Sequence, residues 1–243
     1  MVDVQTLQIL AIIFLATFIG STFGFGLGLV AMPLLAFIVD LKTATPLVAI
    51  VAATTAFFIF INNWRQVNFK SIWKMILASI VGIPIGLYIL KGAGDSFMKT
   101  MLALMIILFA AYSLYGRGRL RLATERSSVM FGLLSGIIGS AYNMGGPPVI
   151  IYGALRNWPP ITFRATMQSF FLPVGIFIVI SHTLGGLVTS TVLRYYGYSF
   201  PILIFTTFMG GILNRSIPTE RFKRYIFVFL LLIGIFLLLK TMF

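Results

Sequence analysis

Long apolar runs separated by short polar segments make up almost the whole chain. A helix that crosses a bilayer needs about 20 mostly apolar residues, and six uninterrupted runs approach or reach that length. The predicted spans are Ala44 to Asn62, Ser71 to Leu90, Phe97 to Tyr115, Arg164 to Leu184, Ser199 to Leu213 and Phe222 to Met242. The polar segments are too short for a soluble domain, so the pattern predicts an all-α integral membrane protein.

Two longer apolar stretches are interrupted near their middles. Leu7 to Val39 contains Gly24-Phe25-Gly26-Leu27-Gly28, and Val129 to Leu155 contains Tyr142-Asn143-Met144-Gly145-Gly146-Pro147-Pro148. Glycine frees the backbone, and proline removes a helical donor and clashes with the preceding turn. Each stretch is therefore predicted to contain a broken helix, whose freed backbone groups must be buried in protein or line a wet cavity.

The order of elements is repeated in the second half of the chain. The interrupted stretch comes first in each half, and the spans that follow carry similar residues in the same order. Gly82, Gly86, Phe97 and Lys99 correspond to Thr207, Gly211, Phe222 and Arg224. We expect one transmembrane domain, 1–243, with repeat one at 1–116, a cytoplasmic linker at 117–126 and repeat two at 127–243.

Composition and charge exclude a soluble protein. Apolar residues make up 59% of the chain and charged residues only 9%. The formal net charge of +13 resides in short loops between spans, where membrane orientation explains it better than nucleic-acid binding. Cysteine is absent, which excludes disulfides and thiolate metal sites.

The distribution of basic residues chooses between two topologies. If both interrupted stretches cross the membrane, the 18 basic residues divide nine to nine between its sides. If both enter and leave on one side as re-entrant hairpins, thirteen lie opposite five, which are Lys42, Lys91, Lys99, Arg194 and Lys240. The positive-inside rule favours the second topology, with both termini outside the cytoplasm. Each repeat is then a broken re-entrant hairpin followed by three transmembrane helices, and the repeats are inverted, as in many secondary transporters.

The residues of both interruptions carry a family resemblance. The residues that carry it are, in order, Gly24-Phe25-Gly26-Leu27-Gly28 with Pro33, Asn143-Met144-Gly145-Gly146-Pro147-Pro148 with Tyr152, Phe163-Arg164-Ala165-Thr166 and Gly210-Gly211. On these residues, the chain resembles the TauE/SafE family over essentially its whole length. That resemblance implies export of sulfite, an organosulfonate or a related sulfur anion across the cytoplasmic membrane. Leu27, Tyr142 and Asn143 stand where glycine is frequent in that family. These differences from the family pattern leave the identity of the anion open.

The interruptions are the candidate substrate site. Where a broken helix restarts, its first N–H groups are unpaired and its dipole attracts an anion. We expect the backbone at Gly24, Gly26, Gly28, Gly145 and Gly146 to contribute, with the Asn143 side chain as a donor and Tyr142 nearby. The alternative is that these glycines only permit close packing of helices.

Further polar residues lie on the span after the second interruption. The predicted polar strip consists of Arg164, Thr166, Gln168 and Ser169. A guanidinium pairs well with a sulfonate. Arg164 is equally compatible with ordinary anchoring at the cytoplasmic surface. Lys42 and Thr45, in the corresponding part of repeat one, are candidates for the outer mouth, although ordinary anchoring at the membrane surface is the favoured role of Lys42.

His182, the only histidine, is a candidate for proton coupling, against the alternative of a packed or interfacial group. Every carboxylate falls at a predicted span end, so no buried acidic relay is expected. An inside-negative potential favours anion expulsion by about 2.3 kcal/mol per charge per 100 mV. These points favour voltage-driven export.

The sequence predicts a transporter without a cofactor or metal and not an enzyme. An anion channel with glycine-rich re-entrant filter loops is the alternative function. The expected partners are a small anion and the lipid bilayer, with no nucleic acid. The small-residue face of Gly82 and Gly86 is compatible with internal packing or with a homodimer.

Overall fold

The computed structural model describes residues 3–63, 72–115, 127–156, 160–213 and 219–242. Within these ranges the secondary structure consists of ten helices and no strands. They are α1 (Val4–Phe23), α2 (Leu27–Leu35), α3 (Leu41–Asn63), α4 (Trp73–Gly92), α5 (Asp95–Tyr115), α6 (Ser127–Tyr142), α7 (Gly146–Leu155), α8 (Pro160–Leu184), α9 (Ser190–Leu213) and α10 (Thr219–Met242). The chain is an all-α membrane protein, as the apolar pattern predicts.

Several of these helices are long enough to span a membrane. In the described part of the chain, α1, α3, α4, α5 and α10 are long and apolar enough to cross a bilayer. The bounds of most predicted spans agree with the structure to within a few residues. The exception is α9, which begins at Ser190 rather than at Ser199. Arg194 and three tyrosines lower the hydropathy of its first turns, although such residues are common where a helix meets the membrane surface.

The first interrupted stretch is broken between α1 and α2. Gly24 and Gly26 have φ angles of 78° and 100°, a region that side-chain-bearing residues rarely enter. The Nε2 of Gln5, near the start of α1, donates a hydrogen bond of 3.1 Å to the carbonyl oxygen of Ile38, just after α2. The two ends of this segment therefore lie together.

The second interrupted stretch is broken between α6 and α7. The break residue Asn143 has a φ of 50°, and α7 opens with two prolines, for which the first turn of a helix is a favourable position. The Ser135 hydroxyl donates a 2.6 Å hydrogen bond to the carbonyl oxygen of Gly145. Farther from the break, the rings of Phe131 and Tyr152 lie 5.6 Å apart. Helix α7 therefore runs back alongside α6.

Helices from the two halves of the chain pack against each other in matching pairs. Helix α1 packs on α9 and α6 packs on α4, while α3 contacts α8 and α5 contacts α10. If α1 to α5 are matched in order with α6 to α10, exchanging the matched helices leaves these four contacts unchanged. The halves are thus interleaved rather than side by side.

Glycines allow α4 and α6 to approach at backbone distance. A Cβ added to Gly82 or Gly86 would lie 2.4 Å from the Leu133 oxygen or 2.2 Å from the Ile137 oxygen. A Cβ on Gly136 would likewise lie 2.0 Å from the Ser79 oxygen. Of the two roles open to Gly82 and Gly86, the structure shows internal packing, which is the common use of small residues between membrane helices.

One end of the molecule collects basic residues that lie far apart in sequence. The Nζ of Lys42 donates to the carbonyl oxygen of Lys91 at 2.9 Å, and Lys99 forms a 2.7 Å ion pair with Asp95. At the same end, the Nζ of Lys240 lies 5.2 Å from the centre of the Phe37 ring. The predicted cytoplasmic linker, 117–126, falls outside the described residues.

Candidate functional site

The two broken segments meet at their tips. A Cβ placed on Gly28, in the first turn of α2, would lie 2.0 Å from the backbone oxygen of Asn143. At this position there is room for the hydrogen atom of glycine but not for a side chain. The glycine at this position therefore permits the two breaks to touch.

A cavity of about 110 Å³ lies where the breaks meet. A void needs only about 10–15 Å³ to hold one water, so it has room for several waters or one small anion. Six of the glycine and asparagine residues predicted for the substrate site line it, namely Gly24, Gly26, Gly28, Asn143, Gly145 and Gly146. The structure thus brings together two sets of residues that are far apart in sequence.

The restarting helices offer this cavity different numbers of backbone donors. No side chain caps α2, whose N-cap is Gly26, so the first three N–H groups of that helix have no acceptor within it. Helix α7 also lacks a side-chain cap, but Pro147 and Pro148 in its first turn have no N–H. Most of the backbone donors at the cavity therefore belong to α2.

Asn143 is the polar side chain that distinguishes the second break. Its backbone N–H donates to the Gly139 oxygen at 2.8 Å, which fixes the residue to the end of α6. Its side-chain Nδ2 is buried and has no hydrogen-bond partner. A buried amide N–H without an acceptor costs about 1–3 kcal/mol, so this atom is a natural donor for a ligand.

The remaining lining is uncharged and mostly apolar. None of the lining residues that the structure describes carries a formal charge. The hydroxyls of Thr55 and Ser135 line the cavity, but they donate to the backbone oxygens of Val51 and Gly145. Aromatic and aliphatic side chains of α8 form much of the wall, among them Phe170, Phe171, Val174 and Ile178.

Tyr142 lies away from the described lining of the cavity. Its side chain is buried, and its hydroxyl donates to the Sδ of Met98 on α5 at 3.3 Å. The chain changes direction between Tyr142 and Asn143. Adjacency in sequence therefore does not bring both side chains to the same site.

The predicted polar strip lies in the first half of α8. Arg164, Thr166 and Gln168 belong to this helix, and their side chains are outside the described part of the structure. Thr45, expected at the outer mouth, is instead fully buried, with its hydroxyl 3.4 Å from the Ala141 oxygen.

His182 joins two helices behind the site. Its side chain is fully buried, and its Nε2 lies 2.9 Å from the backbone oxygen of Ser140. The Nδ1 atom has no partner. His182 is absent from the described cavity lining, so its contact connects α8 to the last turn of α6. Across the described residues, no cluster of histidine or acidic side chains is arranged to hold a metal ion.

The α8 wall is the part of the site that sequence reasoning missed. Phe171, Val174, Gly175 and Ile178 follow helical spacing along one face, which is the signal available in the sequence. The same spacing is typical of ordinary packing between helices. Knowledge of where the breaks lie in space is needed to recognise it as a cavity wall.

Two comparisons with known proteins gave matches. The family model described as "Sulfite exporter TauE/SafE" matches residues 9–237. A curated protein of Methanocaldococcus jannaschii, described as a "Probable membrane transporter protein", is 23% identical over 255 residues, which covers 93% of this chain and 92% of that protein. No solved structure matches the chain.

Proposed function

The chain belongs to the sulfite exporter TauE/SafE family of membrane transporters, and from that premise we propose that it exports a small anion, sulfite or an organosulfonate. The anion binds near the membrane midplane, between the two breaks. The observation that carries this proposal is the shared cavity, whose lining combines the amide residue Asn143 with the uncapped N–H groups at the start of α2. Such donors favour an anion over a cation or a neutral solute.

The binding chemistry divides between the two repeats. Helix α2 supplies backbone N–H groups and the positive end of its dipole, equivalent to roughly half a charge. Asn143 supplies a side-chain donor from the second repeat. Arg164 at the start of α8 attracts the anion from the cytoplasmic side, where its guanidinium pairs with the oxygens. Thr166 and Gln168, on the same helix, are the further polar residues that we assign to this path.

The transport test is uptake of labelled sulfite and organosulfonates into liposomes that hold the purified protein. We expect saturable uptake, reduced at least about tenfold by Asn143→Gly, because a hydrogen bond to a charged group is worth about 1.5–3 kcal/mol. Arg164→Ala should reduce uptake as well. Gly211→Ala is the matched control, since a Cβ there meets nothing within 4 Å. Uptake no greater than in empty liposomes would refute the proposal.

We further propose that each broken segment is a re-entrant hairpin and that the repeats are inverted. The Gln5–Ile38 hydrogen bond and the Phe131–Tyr152 contact support this, because each joins the two arms of one segment. The interleaved helix pairs are those expected of two related halves. Both termini then lie outside the cytoplasm in the cell membrane.

Single cysteines test this topology without interference, because the chain has none of its own. Lys42→Cys and Lys240→Cys should react with an impermeant maleimide from the same side of the membrane, and Tyr115→Cys from the opposite side. Full crossing by both broken segments predicts that positions 42 and 240 label from opposite sides. That labelling pattern would exclude re-entrant hairpins.

The driving force is the membrane potential in this proposal. Since His182 holds α8 against α6, we assign it to packing and keep proton coupling as the alternative. Flux should follow an imposed voltage in wild type and in His182→Gln. Flux that ignores voltage but follows a proton gradient, and loses that response in His182→Gln, would instead support proton coupling.

The alternative function is an anion channel built from the two breaks. A carrier should show saturable flux that is stimulated by anion on the far side of the membrane. A channel should show large single-channel currents in a planar bilayer. Such currents would replace the carrier mechanism while leaving the anion site intact.

A further inference from the structure

The walls of the cavity differ in chemistry. The tips of the breaks carry the polar groups, namely the first N–H groups of α2 and the Asn143 amide. Most of the rest of the lining comes from α3 and α8, and the residues that α8 contributes are all apolar. The ring of Phe171 lies directly beside the start of α7, because a Cβ added to Gly146 would be 3.5 Å from its Cζ atom. An anion in this cavity would therefore have donors on one side and hydrocarbon on the other.

We propose, on the basis of the anion-transport function above, that the preferred substrate is a singly charged organic anion with a short apolar group. The charged head binds the donors at the breaks. The apolar group packs on the α8 wall formed by Phe171, Val174 and Ile178. A bare inorganic oxyanion fills only the polar side.

The charge available at the site matches a single negative charge. The described lining contains no cationic side chain, so the dipoles of α2 and α7 provide the fixed positive potential. Each is equivalent to roughly half a charge at a helix start. Burying a second negative charge without a paired cation is strongly unfavourable. A doubly charged anion such as the sulfite dianion is therefore disfavoured.

The apolar wall favours each added methylene group. Removing one CH₂ from water is worth about a fourfold gain in binding. Phe170 is fully buried, and its ring lies 5.7 Å from that of Phe171, which is only partly buried. Phe171 is therefore the ring of this wall that a ligand in the cavity can contact. The small cavity limits the gain to short chains.

The test is inhibition of labelled ethanesulfonate uptake into liposomes by unlabelled sulfite, methanesulfonate, ethanesulfonate and propanesulfonate. In the wild type we expect inhibition to strengthen by about fourfold per methylene, with sulfite the weakest. Equal inhibition by sulfite and propanesulfonate would overturn this inference while leaving anion transport standing. Absence of saturable uptake of every anion would instead remove the proposed function itself.

Two variants locate the preference on α8. Phe171→Ala should flatten the dependence on chain length, with Phe177→Ala as its control, because Phe177 is on the same helix and 43% exposed. Gly175→Ala should penalise propanesulfonate more than methanesulfonate. The added methyl would meet Ala53 at an ordinary 3.7 Å, so the fold tolerates it. Equal losses for all four anions in both variants would mean that α8 does not bind the organic group.

Discussion

The two broken segments build similar bends from different residues. The first uses two glycines in the left-handed region, Gly24 and Gly26, and its helix restarts with free N–H groups. The second uses a single left-handed asparagine and restarts with two prolines. The first break thus contributes backbone donors, whereas the second contributes a side chain and few backbone donors.

This difference makes the proposed site asymmetric. Equivalent breaks would offer the anion equivalent donors from both sides. Here Asn143 replaces the donors that Pro147 and Pro148 remove from the second break. Asparagine tolerates the left-handed region better than most residues because its short polar side chain bonds locally. In the proposed site, one residue therefore both permits the bend and supplies a donor.

The largest expected difference between the breaks is at Gly28 and its counterpart Gly146. A Cβ at Gly28 would collide with a backbone oxygen at 2.0 Å, whereas one at Gly146 would meet only side-chain atoms at 3.5 Å or more. We expect Gly28→Ala to destabilise at the upper end of the about 1–3 kcal/mol typical of overpacking, and Gly146→Ala to have little effect. Thermal unfolding in detergent measures both, and equal melting temperatures would mean that the breaks do not touch.

An intermediate effect is expected at the left-handed positions. Gly26→Ala should cost about 1–3 kcal/mol through backbone strain, although the nearest atom to the new Cβ is 3.9 Å away. Asn143→Gly should change stability by less than about 1 kcal/mol, because glycine relieves strain at a modest entropic cost. Its anion flux should nevertheless fall. If Asn143→Gly unfolded the protein as readily as Gly26→Ala, the asparagine would be structural rather than a donor.

The smallest effect is expected at Tyr142, beside the second break. Tyr142→Phe removes one hydrogen bond to the Met98 sulfur and should cost no more than about 1 kcal/mol. Liposome flux should stay at the wild-type level because the hydroxyl is away from the cavity. A loss of flux as large as that of Asn143→Gly would mean that the Tyr142 hydroxyl takes part in anion binding.

The breaks were predictable because glycine and proline act locally. Gly24, Gly26 and Pro147 determine their own backbone whatever surrounds them. The start of α9 was missed since Arg194 and its neighbouring tyrosines resemble a loop in composition. Local sequence carries no record of which distant segments touch, so the contact of Gly28 with Asn143 could not be foreseen.

The side chains of the site were harder to predict than its backbone. Asn143 was identified because a polar residue stood inside an apolar stretch. Phe171 and Gly175 resemble packing residues, since an apolar cavity wall and an apolar core have the same pattern. Their role depends on the void beside them, which is a property of the assembled helices.

The most direct test of the account is equilibrium binding of a labelled anion to the purified protein, without transport. The anion is the one with the largest flux in liposomes, measured on wild type, Asn143→Gly and Gly211→Ala. If the two breaks form one anion site, wild type and Gly211→Ala will bind it saturably with equal affinity, and Asn143→Gly will bind at least about tenfold more weakly. Equal binding by all three proteins would contradict the account.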